Sequence, residues 1–159
     1  MARAITARSL RRILNLWPPF LFAGVHVRAI GEDWRSAEVE LRMRRWNRNY
    51  VGTHFGGSLF AMTDPFWMLL TLHALGRDYM VWDQAGEIRF LKPGRGTVRA
   101  VFRLEDAVLD EIRTAAADGS KQLRWFETDI VDETGDTVAR VRKQIYVRLK
   151  RREPHDAAG

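Results

Sequence analysis

Residues 58–76, SLFAMTDPFWMLLTLHALG, constrain the fold more than any other stretch of the chain. Asp64 is their one acidic or basic residue, histidine apart, and the apolar side chains fall on every side of a helical wheel. A helix that is apolar all round has to be buried. About 18 residues at ~1.5 Å each give a helix about 27 Å long, enough to cross a small sheet. Gly76 offers a C-cap. Such a segment needs something broad to wrap around it.

Strands supply that surface. Residues 22–30, FAGVHVRAI, set Ala23, Val25, Val27 and Ala29 against Gly24, His26 and Arg28, the period of two that marks a strand. After a turn at 31–33, residues 34–44 set Ala37, Val39, Leu41 and Met43 against Glu38, Glu40, Arg42 and Arg44. The short connection predicts an antiparallel hairpin. Further strands are expected over 79–91, in TVRAVFRL after the KPGRG turn, in KQLRWFETDIV, and in TVARVRKQIYVRL after DETGD. EDAVLDEIRTAAADG reads as a short amphipathic helix ended by Gly119. The expected fold is α+β, an antiparallel sheet of about six strands around one long central helix. A single sheet on one helix leaves its other face partly bare, to be covered by a second subunit or a ligand.

Composition narrows the function. The chain has 159 residues, 46% of them hydrophobic, enough for one compact core. It has no cysteine, which excludes disulfides, thiolate metal sites and cysteine nucleophiles. The four histidines show no metal-ligand spacing. A net charge of +6 favours an anionic partner: nucleic acid, a membrane surface or a phosphorylated small molecule. Nucleic acid is not expected, because the aromatic-basic sheet motifs of such modules are missing. Apolar runs fall short of the roughly 18 residues that suggest a span. LNLWPPFLFAGV is broken by two prolines and lacks a small-residue cleavage site. A cytoplasmic chain without stable membrane insertion is therefore expected.

Residues 6–16 place Leu10, Ile13, Leu14 and Leu16 near helical spacing, with Arg8, Arg11 and Arg12 opposite. Pro18 and Pro19 are expected to stop that helix. This basic segment and LWPPFLF pack on their own domain by default; touching a membrane or covering a pocket are the alternatives. The organisation expected is an amphipathic helix over 1–19, a domain over 20–149 and a disordered polar tail over 150–159.

The opening into the long helix carries the chemistry. Asn49-x-x-Gly52-x-x-Phe55-Gly56-Gly57, with Asp64 seven residues later, resembles the segment that enters the central helix of hotdog-fold acyl-CoA thioesterases. It is most similar to the phenylacetate-pathway type and a related domain group of unknown function. EIRFLKPGRGTV, residues 87–98, resembles the family's strand-turn-strand after the helix. The resemblance spans about residues 20–149. Phe55 stands where the family has histidine, and His54 sits one residue early.

The resemblance implies thioester hydrolysis in a homodimer or a dimer of dimers, with sites at the interface and no cofactor beyond the coenzyme A of the substrate. It implies the Gly56 N–H as oxyanion donor, Asp64 as general base or nucleophile, and Asn49 orienting the carbonyl or the water. His54, Phe55, Gly57, Phe60, Trp67 and Met68 would line the acyl site. Gly56 and Asp64 are eight residues apart, about 12 Å along one helix, so two helices crossing a twofold axis would bring one chain's glycine to the other's carboxylate. Burial of Asp64 among Phe60, Met62, Phe66 and Trp67 would raise its pKa.

Plainer readings stand beside these. Asp-Pro is a common helix start, so Asp64 is either a cap, a catalyst or both. Gly56 and Gly57 also suit tight packing at the helix entrance. His73 reads as a core residue. Lys143, on the apolar face of the last strand, is expected to snorkel outward rather than line a pocket. Arg42, Arg44, Arg45 and Arg48 form either a solvated face or a coenzyme A phosphate site. A non-catalytic binder of acyl chains or acyl thioesters remains the alternative to an enzyme.

Overall fold

The computed structural model describes residues 5–150. The elements are α1 (Ala7–Leu16), α2 (Pro18–Ala23), β1 (Val25–Ile30), β2 (Ser36–Arg42), α3 (Gly56–Ala61), α4 (Phe66–Leu75), β3 (Tyr79–Phe90), β4 (Thr97–Arg103), α5 (Asp106–Ala115), β5 (Gln122–Val131) and β6 (Thr137–Leu149). The six strands form one antiparallel sheet in the order β1-β2-β4-β5-β6-β3. The expected α+β architecture is present.

The central helix runs from Gly56 to Leu75 with a single interruption. Four residues, Met62 to Pro65, form turns between α3 and α4. Proline has no N–H to donate and disfavours helical angles in the residue before it. The segment then resumes, with Leu69 N donating to Pro65 O. Pro65, not Asp64, is the N-cap of α4, and no side chain caps it.

The core lies between this helix and the inner face of the sheet. Phe66 packs 5.0 Å from Phe102 and 6.2 Å from Phe20, ring centre to ring centre. Trp67 stacks 4.5 Å from Phe126. Phe66 and Leu70 are fully buried, and burying each stabilises the fold by about 2 kcal/mol. His73 lies against Trp34, with ring centres 3.8 Å apart.

Three other sequence readings are corrected. Pro18 and Pro19 end α1 but open α2, since proline is pre-set for the first turn of a helix. The first strand accordingly starts at Val25 rather than residue 22. Helix α5 ends at Ala115, before Gly119, which serves the following turn with φ +78°. Residues 151–159 of the expected polar tail lie outside the described residues, and Lys150 bonds to Asp78 and Arg77 carbonyls.

The two sheet edges differ. Helix α1 covers β1: Asn15 accepts from Val27 N and donates to Val27 O, and Arg11 donates to Arg28 O. That blunts the edge. Strand β3 pairs with β6 on one side, and no strand pairs with its other side among the described residues. No described helix is long and apolar enough to cross a membrane.

Candidate active site

The loop before α3 is built by its own polar residues. Asn49 N donates to Thr53 O, and Thr53 N donates to Asn49 Oδ1. Asn49 Nδ2 donates to Thr53 Oγ1 at 2.8 Å and to His54 O at 3.2 Å. Gly52, at φ +78°, supplies the left-handed turn between them. Asn49 therefore spends both amide donors on holding the loop.

His54 is buried and ties this loop to the one after β3. Its N–H donates to Gly94 O, and Nε2 lies 2.9 Å from Gly96 O. A carbonyl only accepts, so Nε2 carries the proton. Nδ1 is then a buried acceptor without a partner among the described residues. Burial lowers the His54 pKa, with the Gly96 hydrogen bond opposing, so the ring is held neutral.

These loops enclose a cavity of about 460 Å³. Asn49, His54, Gly56, Leu59, Phe90 and Lys92 are among its walls. Phe55, the N-cap of α3, makes no side-chain cap bond, and the N–H groups of Gly56 and Gly57 have no acceptor among the described residues. At Gly56 a Cβ would lie 2.8 Å from Phe90 Cζ, so the missing side chain admits the Phe90 ring against this wall. Phe55 is exposed beside it.

Asp64 lies elsewhere. It is absent from the cavity lining, and its side chain is 58% exposed. The expected burial among aromatic residues does not occur within one chain. The carboxylate instead accepts from Lys143 Nζ at 2.7 Å. Lys143 does not snorkel: its side chain is 5% exposed. It points inward because the alternation of β6 places it on the face of Val141 and Ile145, and two carboxylates meet it there. The second is Asp83 Oδ1, 3.3 Å away, an oxygen with no hydrogen bond of its own among the described residues. Burial raises the Asp83 pKa, the Lys143 charge opposes it, and Asp64 adds to it.

Phe60 roofs this ion cluster, with its ring centre 5.6 Å from Lys143 Nζ. Gly86 on β3 admits the ring, since a Cβ there would lie 2.7 Å from Phe60 Cζ. The structure thus gathers Asn49, His54 and Gly56 in one cavity and Phe60 with Asp64 in a second place. Trp67 belongs to the core, donating from Nε1 to Thr128 Oγ1 at 2.9 Å, and Met68 packs against that core. Sequence reasoning missed Asp83. The signal was available: a charged residue inside a strand otherwise flanked by Tyr79, Val81 and Trp82.

The arginine group also divides. Arg42 is committed to Glu40, as are Arg28 and Arg99. Burial raises the proton affinity of Glu40, but hydrogen bonds from Arg42, Arg99 and Arg28 outweigh it and hold the pKa below the usual carboxylate value. Arg44, Arg45 and Arg48 are exposed.

Comparison with known proteins fits this architecture. The family model described as a domain of unknown function, DUF4442, matches residues 6–147. A Pseudomonas aeruginosa protein of unknown function, described as a "Probable Thioesterase", superposes with a TM-score of 0.82 at 18% identity, over 94% of this chain and 100% of that one. A Haemophilus influenzae thioesterase gives 0.67 at 17% identity, over 96% and 97% of the two chains. The Escherichia coli PaaI protein of the phenylacetic acid degradation operon gives 0.60 at 18% identity, over 90% and 92%. No curated protein matches the chain. At these identities the likeness speaks to the fold alone, which is the hotdog fold. The chain belongs to the DUF4442 family, and its antiparallel sheet wraps the helix that begins at Gly56.

Proposed function

We propose that the protein is a thioester hydrolase acting on acyl-CoA or another acyl thioester, in a site shared between two subunits. One observation carries this reading. Among the described residues the cavity around Gly56 has no carboxylate in its wall, while Asp64 stands 58% exposed beyond it. A second copy joined along the open β3 edge would supply Asp64 to the partner's cavity.

In that assembly the free Gly56 N–H stabilises the oxyanion as the carbonyl is attacked. Asp64 then serves as general base toward water, or attacks directly. Lys143, donating from Nζ at 2.7 Å, fixes the direction of the carboxylate. Asn49 shapes the loop, and His54, Phe55 and Gly57 border the acyl group. The exposed Arg95 beside the cavity suits coenzyme A phosphates better than Arg42 or Lys92, which are already paired with Glu40 and with Asp132 and Asp136.

Subunit complementation tests the shared site. Free thiol release is followed over a panel of acyl-CoAs. Asp64→Asn and Gly56→Val are each expected to be inactive. Unfolding and refolding them together forms mixed dimers with one intact site, restoring roughly a quarter of wild-type activity. No recovery on mixing refutes the shared site, and an active Asp64→Asn variant refutes the role of the carboxylate.

A second reading, a non-catalytic binder of acyl thioesters, is favoured by one feature. Phe55 is a phenylalanine where the resembling family has histidine, and its exposed ring lies against Gly57. A ligand-induced rise in melting temperature without turnover on any acyl-CoA selects it.

A further inference from the structure

We infer that the end of the molecule formed by α1, α2 and the loop after β2 is a docking surface for an anionic lipid bilayer. The inference does not depend on the proposed hydrolysis. It begins with charge. Residues 1–31 and 41–63 contain no aspartate or glutamate. Elsewhere, many arginines are paired across the sheet and on α5, as in Arg99–Glu40, Arg140–Asp129, Arg142–Glu87 and Arg113–Asp110, and the exposed Arg77, Arg89, Arg95 and Arg103 lie on segments that also carry carboxylates. Arg8, Arg12, Arg44, Arg45 and Arg48 are exposed and form no ion pair among the described residues.

The two segments meet. Asn47 Nδ2 donates to Ala23 O at 2.8 Å and to Arg42 O at 2.9 Å. Arg42 N donates to Gly24 O. The loop carrying Arg44, Arg45 and Arg48 is therefore fastened to the end of α2.

Large apolar side chains stand exposed among these cations. Leu16 is 73% exposed, Phe22 72% and Trp46 72%, with Ile13, Trp17 and Leu21 around half exposed. On α1, Arg8, Arg12 and Leu16 follow at spacings of four, one above another. The opposite side of the same helices holds Leu10, Leu14 and Phe20 in the core. Folding therefore leaves a second apolar side uncovered.

Cations beside exposed leucine, phenylalanine and tryptophan fit the boundary between headgroups and acyl chains. A nucleic acid would use the arginines but has nothing to receive Leu16 and Phe22. An acidic protein would satisfy the charges without a need for isolated protruding apolar tips. With no spanning helix described, attachment is peripheral.

The test is co-sedimentation of the full chain with vesicles of phosphatidylcholine alone and of phosphatidylcholine mixed equally with phosphatidylglycerol. Binding is expected to the mixed vesicles only, and to weaken with salt. Reversing Arg44, Arg45 and Arg48 to glutamate weakens it on the order of a hundredfold. Leu16→Ser with Phe22→Ser also weakens it and removes a blue shift of tryptophan emission. Arg89→Glu with Arg103→Glu, on other exposed sites, leaves it nearly unchanged. Circular dichroism verifies that each variant is folded. Absence of binding to mixed vesicles at low salt overturns the inference. Equal loss in the Arg89 and Arg103 variant overturns it too, since net charge alone would then explain binding. So does an apolar variant that changes solution mass but not vesicle binding, which would assign this face to a second copy.

Discussion

Replacing Lys143 by methionine removes one positive charge and keeps the side-chain length. The ammonium lies 2.7 Å from Asp64 and 3.3 Å from Asp83, but the two carboxylates do not lose equally. Asp64 is 58% exposed, so water takes over its solvation. Asp83 is 27% exposed and its Oδ1 has no hydrogen bond. It becomes a largely buried anion beside another carboxylate. Removing one partner of a buried pair costs about 3–5 kcal/mol; the residual exposure of Asp83 reduces this to about 2–3 kcal/mol. For a chain of this length the melting temperature falls by about 5–10 °C.

The loss also depends on pH. Asp83 in the folded chain has a pKa raised above its ordinary value, chiefly by burial, and Lys143→Met raises it further. The folded state then binds the proton more tightly than the unfolded one. The penalty is absent below the unfolded carboxylate pKa, grows as pH rises through the interval, and is complete above the folded pKa. The deficit of the variant is therefore larger at about pH 8 than at about pH 4. Adding Asp83→Asn removes the stranded charge and restores most of the stability. Urea unfolding at fixed protein concentration measures all of this. A variant as stable as wild type at alkaline pH, or no recovery with Asp83→Asn, refutes the reasoning.

Three further outcomes follow from the same structure. Glu40→Gln leaves Arg28, Arg42 and Arg99 around a neutral, buried amide and costs about 2–3 kcal/mol near neutral pH; because the folded pKa is depressed, the difference from wild type shrinks as pH falls through it, which urea midpoints across acidic pH will show. His54 stays neutral in the fold while its unfolded form takes up a proton, so stability declines as pH falls below about 6.5; His54→Gln removes that part of the slope, and an unchanged pH profile of unfolding contradicts the burial argument. Trp67→Phe strands the buried Thr128 hydroxyl and costs about 1–3 kcal/mol, most of which Thr128→Val restores in the double variant, as a thermal-unfolding cycle will read.

Much of this protein was legible in its chain. The period of two in residues 36–42 and 137–149 set the strands, because alternate side chains face core and solvent. The all-round apolar character of 58–76 demanded a buried helix. Asn49, Gly52, Gly56 and Gly57 marked the turn into the central helix, since a tight turn and close packing at a helix entrance favour those residue types. Local rules were less decisive where two of them competed. Pro18 and Pro19 both stop one helix and begin another, and only packing of Phe20 into the core selects the second outcome. Lys143 shows what sequence alone leaves open. Its inward register was visible, but its partners come from residue 64 on the helix turn and residue 83 on the neighbouring strand. Whether a charge on an apolar face reaches solvent or an ion pair depends on what distant segments place opposite it. That is decided by tertiary structure, because electrostatic compensation acts through space and not along the chain.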